Sequence, residues 1–165
     1  MIVLSIMNKA EKDIWLPQLF DLLYENMKNI APSQQPYGQE REEWLAEVSR
    51  ALEKAPRQIV LCMDGDTIAG FVQYYTREDL LMIEEIQLRK QYQRTLLFYS
   101  LCKYFVGNIA DQISCVEAYA DKRNLYSQRI MAKLGMTVVD EMKDTPFLLF
   151  HATAERITEK FFRPF

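Results

Sequence analysis

The segment that most limits what this chain can fold into runs from residue 82 to residue 108 and reads MIEEIQLRKQYQRTLLFYSLCKYFVGN. Its first part is apolar and typical of a buried strand, yet Glu84 and Glu85 stand within it. From Thr95 onward, apolar residues recur every four positions, which is the spacing of one helical face. The intervening segment 89–94 is basic and rich in amides. The sequence therefore predicts a strand, a basic turn and a helix whose first amide groups form an anion site.

The rest of the chain supplies strands and helices in an alternating order. Strands are predicted where short apolar runs end at turn residues, and helices where apolar residues follow a helical period. The predicted strands span 1–7, 57–63, 67–76, 113–119, 136–142 and 146–152, in addition to the one that opens the segment above. The predicted helices span 9–30, 39–53 and 124–134, with a loop at 31–38, a hairpin turn at Asp64-Gly65-Asp66, a C-cap at Gly135 and a short helical tail at 153–162.

This order mixes hairpins with helical crossovers, which predicts an α/β (α+β) fold. We expect a mixed, mostly antiparallel sheet of about six to seven strands with helices on both faces. A chain of 165 residues, of which 49% are hydrophobic, is long enough for one core. The sequence therefore predicts a single domain over residues 1–165.

Composition excludes several classes of function. The formal net charge is -3 with both signs interspersed, which argues against a nucleic-acid partner. Because the chain has no leader pattern and no apolar run near 18 residues, we expect a soluble, cytoplasmic protein without a membrane partner. Cys62, Cys102 and Cys115 lie in apolar segments without paired spacing, and His151 is the single histidine. We therefore expect reduced core thiols and no metal site.

Two local motifs in this chain resemble those of a known family. The loop Gln93-Arg94-Thr95-Leu96-Leu97-Phe98 follows a predicted strand and opens a helix. The run NLYSQRIMAKLGM from Asn124 to Met136 is similar to an Asn-x-x-Ala-x-x-Leu-Tyr-x-Lys-Leu-Gly-Phe helix. Together with the element order, they resemble the GNAT superfamily of acyl-CoA-dependent N-acetyltransferases. The second motif is the more specific of the two.

The resemblance implies acetyl-CoA as co-substrate. Its pantetheine arm is expected to pair with the backbone of the strand, and its pyrophosphate to lie at the start of the helix beside a basic residue. Asn124 either caps its helix or also offers an amide to the arm. The residues so implicated in cofactor binding are Ile86, Gln87, Leu88, Gln93, Arg94, Thr95, Leu96, Leu97, Phe98, Asn124 and Ser127.

Acetyl transfer to an amine requires a base for the ammonium proton and a donor to the leaving thiolate. Glu84 and Glu85 are the candidate bases, and because strand side chains alternate, at most one of them can point into an acceptor cleft. We favour Glu84, the alternative being that both carboxylates are structural. Met131 occupies the position of the family's frequent tyrosine acid, and a thioether cannot donate a proton. Tyr126, one turn earlier, is the candidate substitute.

The motif is also altered in its phosphate-binding part. Leu96 and Phe98 stand where the family has glycine or alanine, and Lys90 replaces a proline. Bulky side chains there would narrow the approach of a phosphate to the backbone. The leading prediction is an N-acetyltransferase for a small-molecule amine or a protein amino group. The alternative is a catalytically inactive GNAT-like module that binds a ligand or a protein.

No sequence motif identifies the acceptor substrate or the oligomeric state. The loop 31–38 and the sheet edges are expected to line the acceptor pocket, and the acidic residues near the strand favour a cationic acceptor. The aromatic tail either packs on its own core or forms a contact such as a homodimer interface. The acidic residues are Glu78, Asp79 and Glu84, and the tail residues are Phe161, Phe162 and Phe165.

Overall fold

The computed structural model describes residues 1–54, 56–109 and 112–162. These residues form seven strands, five α-helices and two short 3-10 turns, Lys9–Glu11 and Lys90–Tyr92. The strands are β1 Ile2–Ile6, β2 Gln58–Asp64, β3 Thr67–Arg77, β4 Leu80–Leu88, β5 Cys115–Asp121, β6 Thr137–Glu141 and β7 Phe147–Thr153. The helices are α1 Lys12–Met27, α2 Tyr37–Glu53, α3 Leu97–Ile109, α4 Leu125–Lys133 and α5 Ala154–Phe162.

The strands form one sheet with the order β1-β2-β3-β4-β5-β7-β6. β4 and β5 run parallel, whereas β1 with β2, β2 with β3, β5 with β7 and β6 with β7 are antiparallel. The parallel pair is joined through α3, as a crossover connection requires. The predicted mixed, mostly antiparallel sheet of six to seven strands is therefore confirmed.

By its internal contacts the chain forms two compact units. The first comprises Met1–Tyr75 and Glu85–Arg94. Its core joins the apolar stripes of α1 and α2 to alternate residues of β2 and β3. The fully buried members of this core include Leu19, Leu52, Ile59 and Phe71. The predicted hairpin between β2 and β3 is present, and Gly65 in its turn has a φ of 59°, which glycine adopts without strain.

The second unit comprises Thr76–Glu84 and Thr95–Phe165. Here β5 and β7 bury one face of the sheet through alternate small and large apolar residues: Val116, Ala118, Ala120, Leu148, Phe150 and Ala152. α4 ends as predicted at Gly135, whose φ of 87° requires glycine. No helix among the described residues is long and apolar enough to cross a membrane.

Two of the predicted helix starts need correction. The helix after the basic turn begins at Leu97 and not at Thr95 or Leu96, because Arg94 takes a left-handed φ of 63° and the Thr95 hydroxyl accepts the Leu97 amide. The first helix begins at Lys12 and follows a 3-10 turn, which the Asn8 side chain caps through the Ala10 amide at 3.0 Å. In both places a side-chain oxygen, from Asn8 or Thr95, accepts a backbone amide hydrogen that precedes or opens the helix. This local hydrogen bond competes with α-helical pairing, so the α-helix begins later in the sequence.

The predictions about the aromatic tail lie outside what can be described. α5 confirms the short helix, but Phe165 and the side chains of Phe161 and Phe162 lie outside the described residues. Homodimer formation through this tail therefore stays a prediction. The single-domain prediction over residues 1–165 also stays a prediction.

Candidate functional site

The two consecutive glutamates of β4 have different surroundings. Both are half-buried, and alternation along the strand directs them to opposite faces. On the face of Glu85, the Gln87 amide donates to the Glu85 carboxylate at 2.6 Å. Gln87 is only 7% exposed and its own oxygen accepts from Asn26 of α1 at 2.9 Å. Glu85 is therefore held in a hydrogen-bonded chain of structural side chains.

Glu84 lies at the point where the parallel pairing of β4 with β5 ends. The paired positions run from Leu80 opposite Cys115 to Ile83 opposite Ala118. Glu84 is the next residue of β4. Glu84 therefore stands directly after the end of the parallel ladder.

The backbone carbonyl at the C-terminal end of β4 is hydrogen-bonded to two side chains. The Leu88 carbonyl oxygen accepts from the Asn26 amide at 2.9 Å and from the Gln93 amide at 3.0 Å. A carbonyl oxygen has two lone pairs, so both are occupied. A pantetheine arm would have to displace one of these donors to use the Leu88 carbonyl, which leaves Ile86 as the better backbone candidate.

The basic turn after β4 is anchored to the hairpin of the first unit. Arg89 donates to the Ile68 carbonyl at 2.5 Å, and the Tyr92 hydroxyl donates to Asp64 at 2.6 Å. That hydrogen bond raises the pKa of Tyr92 and lowers the pKa of Asp64. Gly70 permits this close approach, because a Cβ there would lie 2.4 Å from the Leu88 side chain. The conformation of the turn is therefore fixed by protein contacts.

The start of α3 keeps part of the predicted anion site. The Thr95 hydroxyl accepts the Leu97 amide at 3.2 Å, so one first-turn amide has an internal partner. Leu97 is buried, Phe98 is half-buried, and Leu96 is 80% exposed. Arg94, directly before this turn, is exposed as well. Leucine at position 96 therefore extends into solvent and is not part of a packed core.

The start of α4 is capped from within. The Asn124 side chain accepts the Ser127 amide at 3.1 Å, which confirms its capping role. Tyr126 is half-buried in the first turn of the helix. Met131 is 5% exposed and contributes to the core. Met131, which the sequence analysis predicts to replace a tyrosine acid, is thus an apolar core residue.

Comparison with known proteins gives a match in structure and none in sequence. No protein-family model matches the chain, and no curated protein matches it. The structure is similar to an acetyltransferase from Thermus thermophilus, with a TM-score of 0.73, 15% identity and coverage of 93% of this chain and 97% of that chain. An acetyltransferase of the GNAT family from Staphylococcus aureus matches at a TM-score of 0.72, with 12% identity, 93% of this chain and 99% of that chain. The chain has the GNAT fold.

A third similar structure contains a ligand. The PaiA N-acetyltransferase of Thermoplasma acidophilum, solved in complex with coenzyme A, matches at a TM-score of 0.68 with 13% identity, covering 93% of this chain and 99% of that chain. Identities this low establish the GNAT fold alone. The activity must be argued from the residues of this chain.

One buried carboxylate was missed by sequence reasoning. Asp121, at the end of β5, is 7% exposed and forms a two-pronged pair with Arg123 at 2.8 and 3.0 Å. This pair lowers the pKa of Asp121. The Gln128 amide also donates to the Asp121 and Lys122 carbonyls. Asp121 therefore fixes the turn between β5 and α4, and the Asp-x-Arg spacing after a strand was the available signal.

The three cysteines lie in β2, α3 and β5, and His151 lies in β7. All three cysteines are free, and burial raises the pKa of the Cys62 and Cys102 thiols to about 12. The His151 ring lies 3.3 Å from Glu117 on the neighbouring strand. Within residues 1–54, 56–109 and 112–162, no group of three metal-ligating side chains is close enough to hold an ion.

Proposed function

We propose that this protein is an acetyl-CoA-dependent N-acetyltransferase that acts on a primary amine of a small molecule or a protein. The observation that carries the proposal is the GNAT fold, which extends over 93% of the chain and is shared with an acetyltransferase solved with coenzyme A. Acetyl-CoA supplies a thioester whose carbonyl carbon accepts the amine. The rest of the chemistry depends on side chains of this chain.

Glu84 is the proposed general base. Its carboxylate takes a proton from the acceptor ammonium, either directly or through a water molecule, so that the nitrogen lone pair becomes available for attack. Glu85 is the weaker candidate because Gln87 and Asn26 hold it in a structural network. As the new C–N bond forms, the C–S bond breaks and the thiolate needs a proton. Tyr126 is the proposed donor, since Met131 cannot supply one.

The residues proposed for cofactor binding differ in how well they fit the role. In the second unit, the Phe98 amide at the start of α3 suits a phosphate, and Asn124 and Ser127 at α4 remain candidates. In the first unit, exposed Arg94 suits a phosphate and the Ile86 backbone suits the pantetheine arm. Four further candidates are already engaged with protein groups: Gln87, Leu88, Gln93 and Thr95.

The second candidate function is an inactive GNAT-like module that binds a ligand or a protein. The occupied Leu88 carbonyl and the buried Met131 favour it. A transfer assay separates the two functions: the protein is incubated with acetyl-CoA and a mixture of primary amines, and released thiol and acetylated amine are measured together. The enzyme hypothesis expects both products in equal amounts. Neither product above the level without protein would favour the inactive module, and free thiol without acetylated amine would contradict amine transfer by showing hydrolysis of the thioester.

The cytoplasmic location expected from the sequence stays a prediction. It is consistent with the proposed use of acetyl-CoA as a substrate.

A further inference from the structure

Three polar residues stand opposite one another on adjacent strands of the second unit. Glu117 of β5 is the cross-strand partner of His151 of β7, and His151 is in turn the partner of Thr137 of β6. Directly opposite residues of antiparallel strands project from the same face of the sheet, with Cβ atoms about 4.5–5.5 Å apart. A carboxylate, an imidazole and a hydroxyl therefore form one row across the three strands.

The carboxylate of this row holds the imidazole in one tautomer. The His151 Nδ1 atom lies 3.3 Å from Oε1 of Glu117, and both side chains are partly buried. A carboxylate accepts hydrogen bonds and has none to donate, so the Nδ1 atom carries the hydrogen. The Nε2 atom of the neutral ring then has a lone pair that can accept a proton. Glu117 therefore orients His151 as a base.

The row opens into a cavity of about 410 Å³. His151 and Thr137 line it together with residues of the first turns of α5. Thr137 is exposed, so a small molecule in the cavity can reach its hydroxyl. Arg156 of α5 lines the same cavity, and its Nε atom would lie 3.1 Å from a Cβ placed on Gly135, in the turn before β6. The cavity therefore joins a hydroxyl, a base and a cation.

Acyl transfer to a hydroxyl requires groups of these kinds. A threonine hydroxyl becomes a nucleophile when an adjacent base takes its proton, and a third group commonly orients that base. In many such sites the nucleophile and the base come into hydrogen-bond contact only when a substrate binds. A cation near the reacting carbonyl stabilises the negative charge that develops on its oxygen. The matching groups are Thr137, His151, Glu117 and Arg156.

We infer that Thr137 is an acylation site served by His151 and Glu117, and that its acyl donor is an activated ester of a small carboxylic acid. The Thr137 oxygen attacks the carbonyl carbon of the ester while its proton passes to Nε2 of His151. The new C–O bond to threonine forms and the bond to the leaving alkoxide or phenolate breaks. The leaving group takes the proton from His151, so the products are an acyl-threonine and an alcohol or phenol.

The acidic residues of α5 restrict the choice of ester. Glu155 and Glu159 line the same cavity and are exposed. Their carboxylates repel an anionic donor, so the site favours a neutral ester. The inference is independent of the proposed function, because none of the residues in this cavity has a role in the proposed amine acetylation.

Acetylation by p-nitrophenyl acetate tests the inference, because this ester is small, neutral and activated. The full chain is incubated with the ester and digested, and mass spectrometry of the peptides gives the rate of acetylation at each residue. We expect an acetyl group on Thr137, and a rate roughly 10²-fold lower in His151→Gln because the base is lost. His151 is the single histidine of the chain, so no other imidazole can replace it. Absence of an acetyl group on Thr137 in the wild type would overturn the inference, as would an unchanged rate in folded His151→Gln.

Thr67 is a matched control within the same chain. It is also an exposed threonine on a strand, but its cross-strand partner is Asp64 and not a histidine. We expect no acetylation of Thr67 under conditions that modify Thr137. Equal rates at the two residues would show a general reaction of exposed hydroxyls and would contradict a special role of the row.

Two further variants separate the nucleophile from the structure around it. Thr137→Ser keeps a hydroxyl at an exposed strand position, so it should fold normally and retain acetylation at residue 137. Glu141→Gln removes an exposed carboxylate from the same strand and should leave the rate at Thr137 unchanged. Loss of acetylation in Thr137→Ser, or an equal loss in Glu141→Gln and Glu117→Gln, would contradict the assignment.

The positioning role of Glu117 has a spectroscopic signature. The two ring nitrogens of a neutral histidine have different ¹⁵N chemical shifts, and the single histidine gives one set of signals. We expect the hydrogen on Nδ1 in the wild type and a mixture of tautomers in Glu117→Gln, because an amide can donate as well as accept. The rate at Thr137 should fall about tenfold in the same variant. A wild-type ring with its hydrogen on Nε2 would contradict the inference, since that atom could not take the threonine proton.

Discussion

The two faces of β4 show how the same residue type acquires different roles from its surroundings. On one face, Glu85 and Gln87 are linked to Asn26 of α1 through hydrogen bonds of 2.6 and 2.9 Å. On the other face, Glu84 follows directly after the last parallel pair with β5. A carboxylate built into a buried polar network contributes to folding and is a poor base. Glu85 therefore has a structural role, and Glu84 stays the proposed base.

The largest expected effect distinguishes the two glutamates by rate. Glu84→Gln should lower the acetyl-transfer rate by roughly 10²- to 10⁴-fold while leaving acetyl-CoA affinity nearly unchanged, because the amide cannot accept the proton. Glu85→Gln is the matched control and should retain most of the rate. Steady-state kinetics over a range of pH provide the measurement. A pH–rate profile that is the same in Glu84→Gln and wild type would remove Glu84 as base.

The next effect concerns the network on the Glu85 face. Asn26→Ala should lower the free energy of unfolding by about 1–3 kcal/mol, because the buried Gln87 oxygen loses its donor. Alanine is a good helix former, so the substitution should not destabilise α1 itself. Urea denaturation monitored by circular dichroism measures the change. Gln18→Ala on the same helix is the control, since the exposed Gln18 side chain donates to the Ile14 carbonyl of its own helix. Equal stability of the two variants would mean that the network is weak.

A third carboxylate extends the comparison to β5. Arg123 holds the pKa of Asp121 below its usual value, so the pair stabilises the fold above the unfolded pKa of about 3.9 and this stabilisation is lost as the pH falls through the folded pKa. Asp121→Asn should cost about 1 kcal/mol at pH 7, with the difference from wild type shrinking below about pH 4. Denaturation midpoints over a pH series test this. A difference that does not shrink as the pH falls below about 4 would show that the effect is not electrostatic.

The smallest effect concerns the altered phosphate loop. Leu96→Gly should tighten acetyl-CoA binding by about two- to fivefold, because it removes a bulky side chain next to the first turn of α3. Glycine is also a better N-cap than leucine, so α3 should form normally. Calorimetric titration of both proteins gives the ratio. Weaker binding by the glycine variant would mean that Leu96 itself contacts the cofactor.

Much of the fold was predictable because each element carries its own local signal. The hairpin at Gly65, the capped helix at Asn124 and the C-cap at Gly135 depend on residues within a few positions of one another. The start of α3 was misplaced by two residues at most, since no sequence pattern shows that Thr95 acts as a cap or that Arg94 takes a positive φ. At such a helix end, conformations that differ by one or two residues in the start of the helix have nearly equal free energies.

The candidate site was less predictable, because its contacts join distant residues. The partner of Gln87 is Asn26, 61 positions away, and the Leu88 carbonyl is occupied by the same side chain. Glu40 of α2 was not among the predicted site residues, and its oxygen without a hydrogen-bond partner among the described residues is visible only in three dimensions. The roles of Glu84 and Tyr126 were argued from the family resemblance, and they stay predictions until they are tested.

The central claim is that a chain with the GNAT fold but an altered phosphate loop still uses acetyl-CoA. Isothermal titration of acetyl-CoA into the wild-type protein tests it most directly. We expect saturable binding of one acetyl-CoA per chain, with a dissociation constant of about 1 μM to 1 mM, the usual range for an enzyme and its substrate. Absence of detectable binding at millimolar acetyl-CoA would contradict the claim.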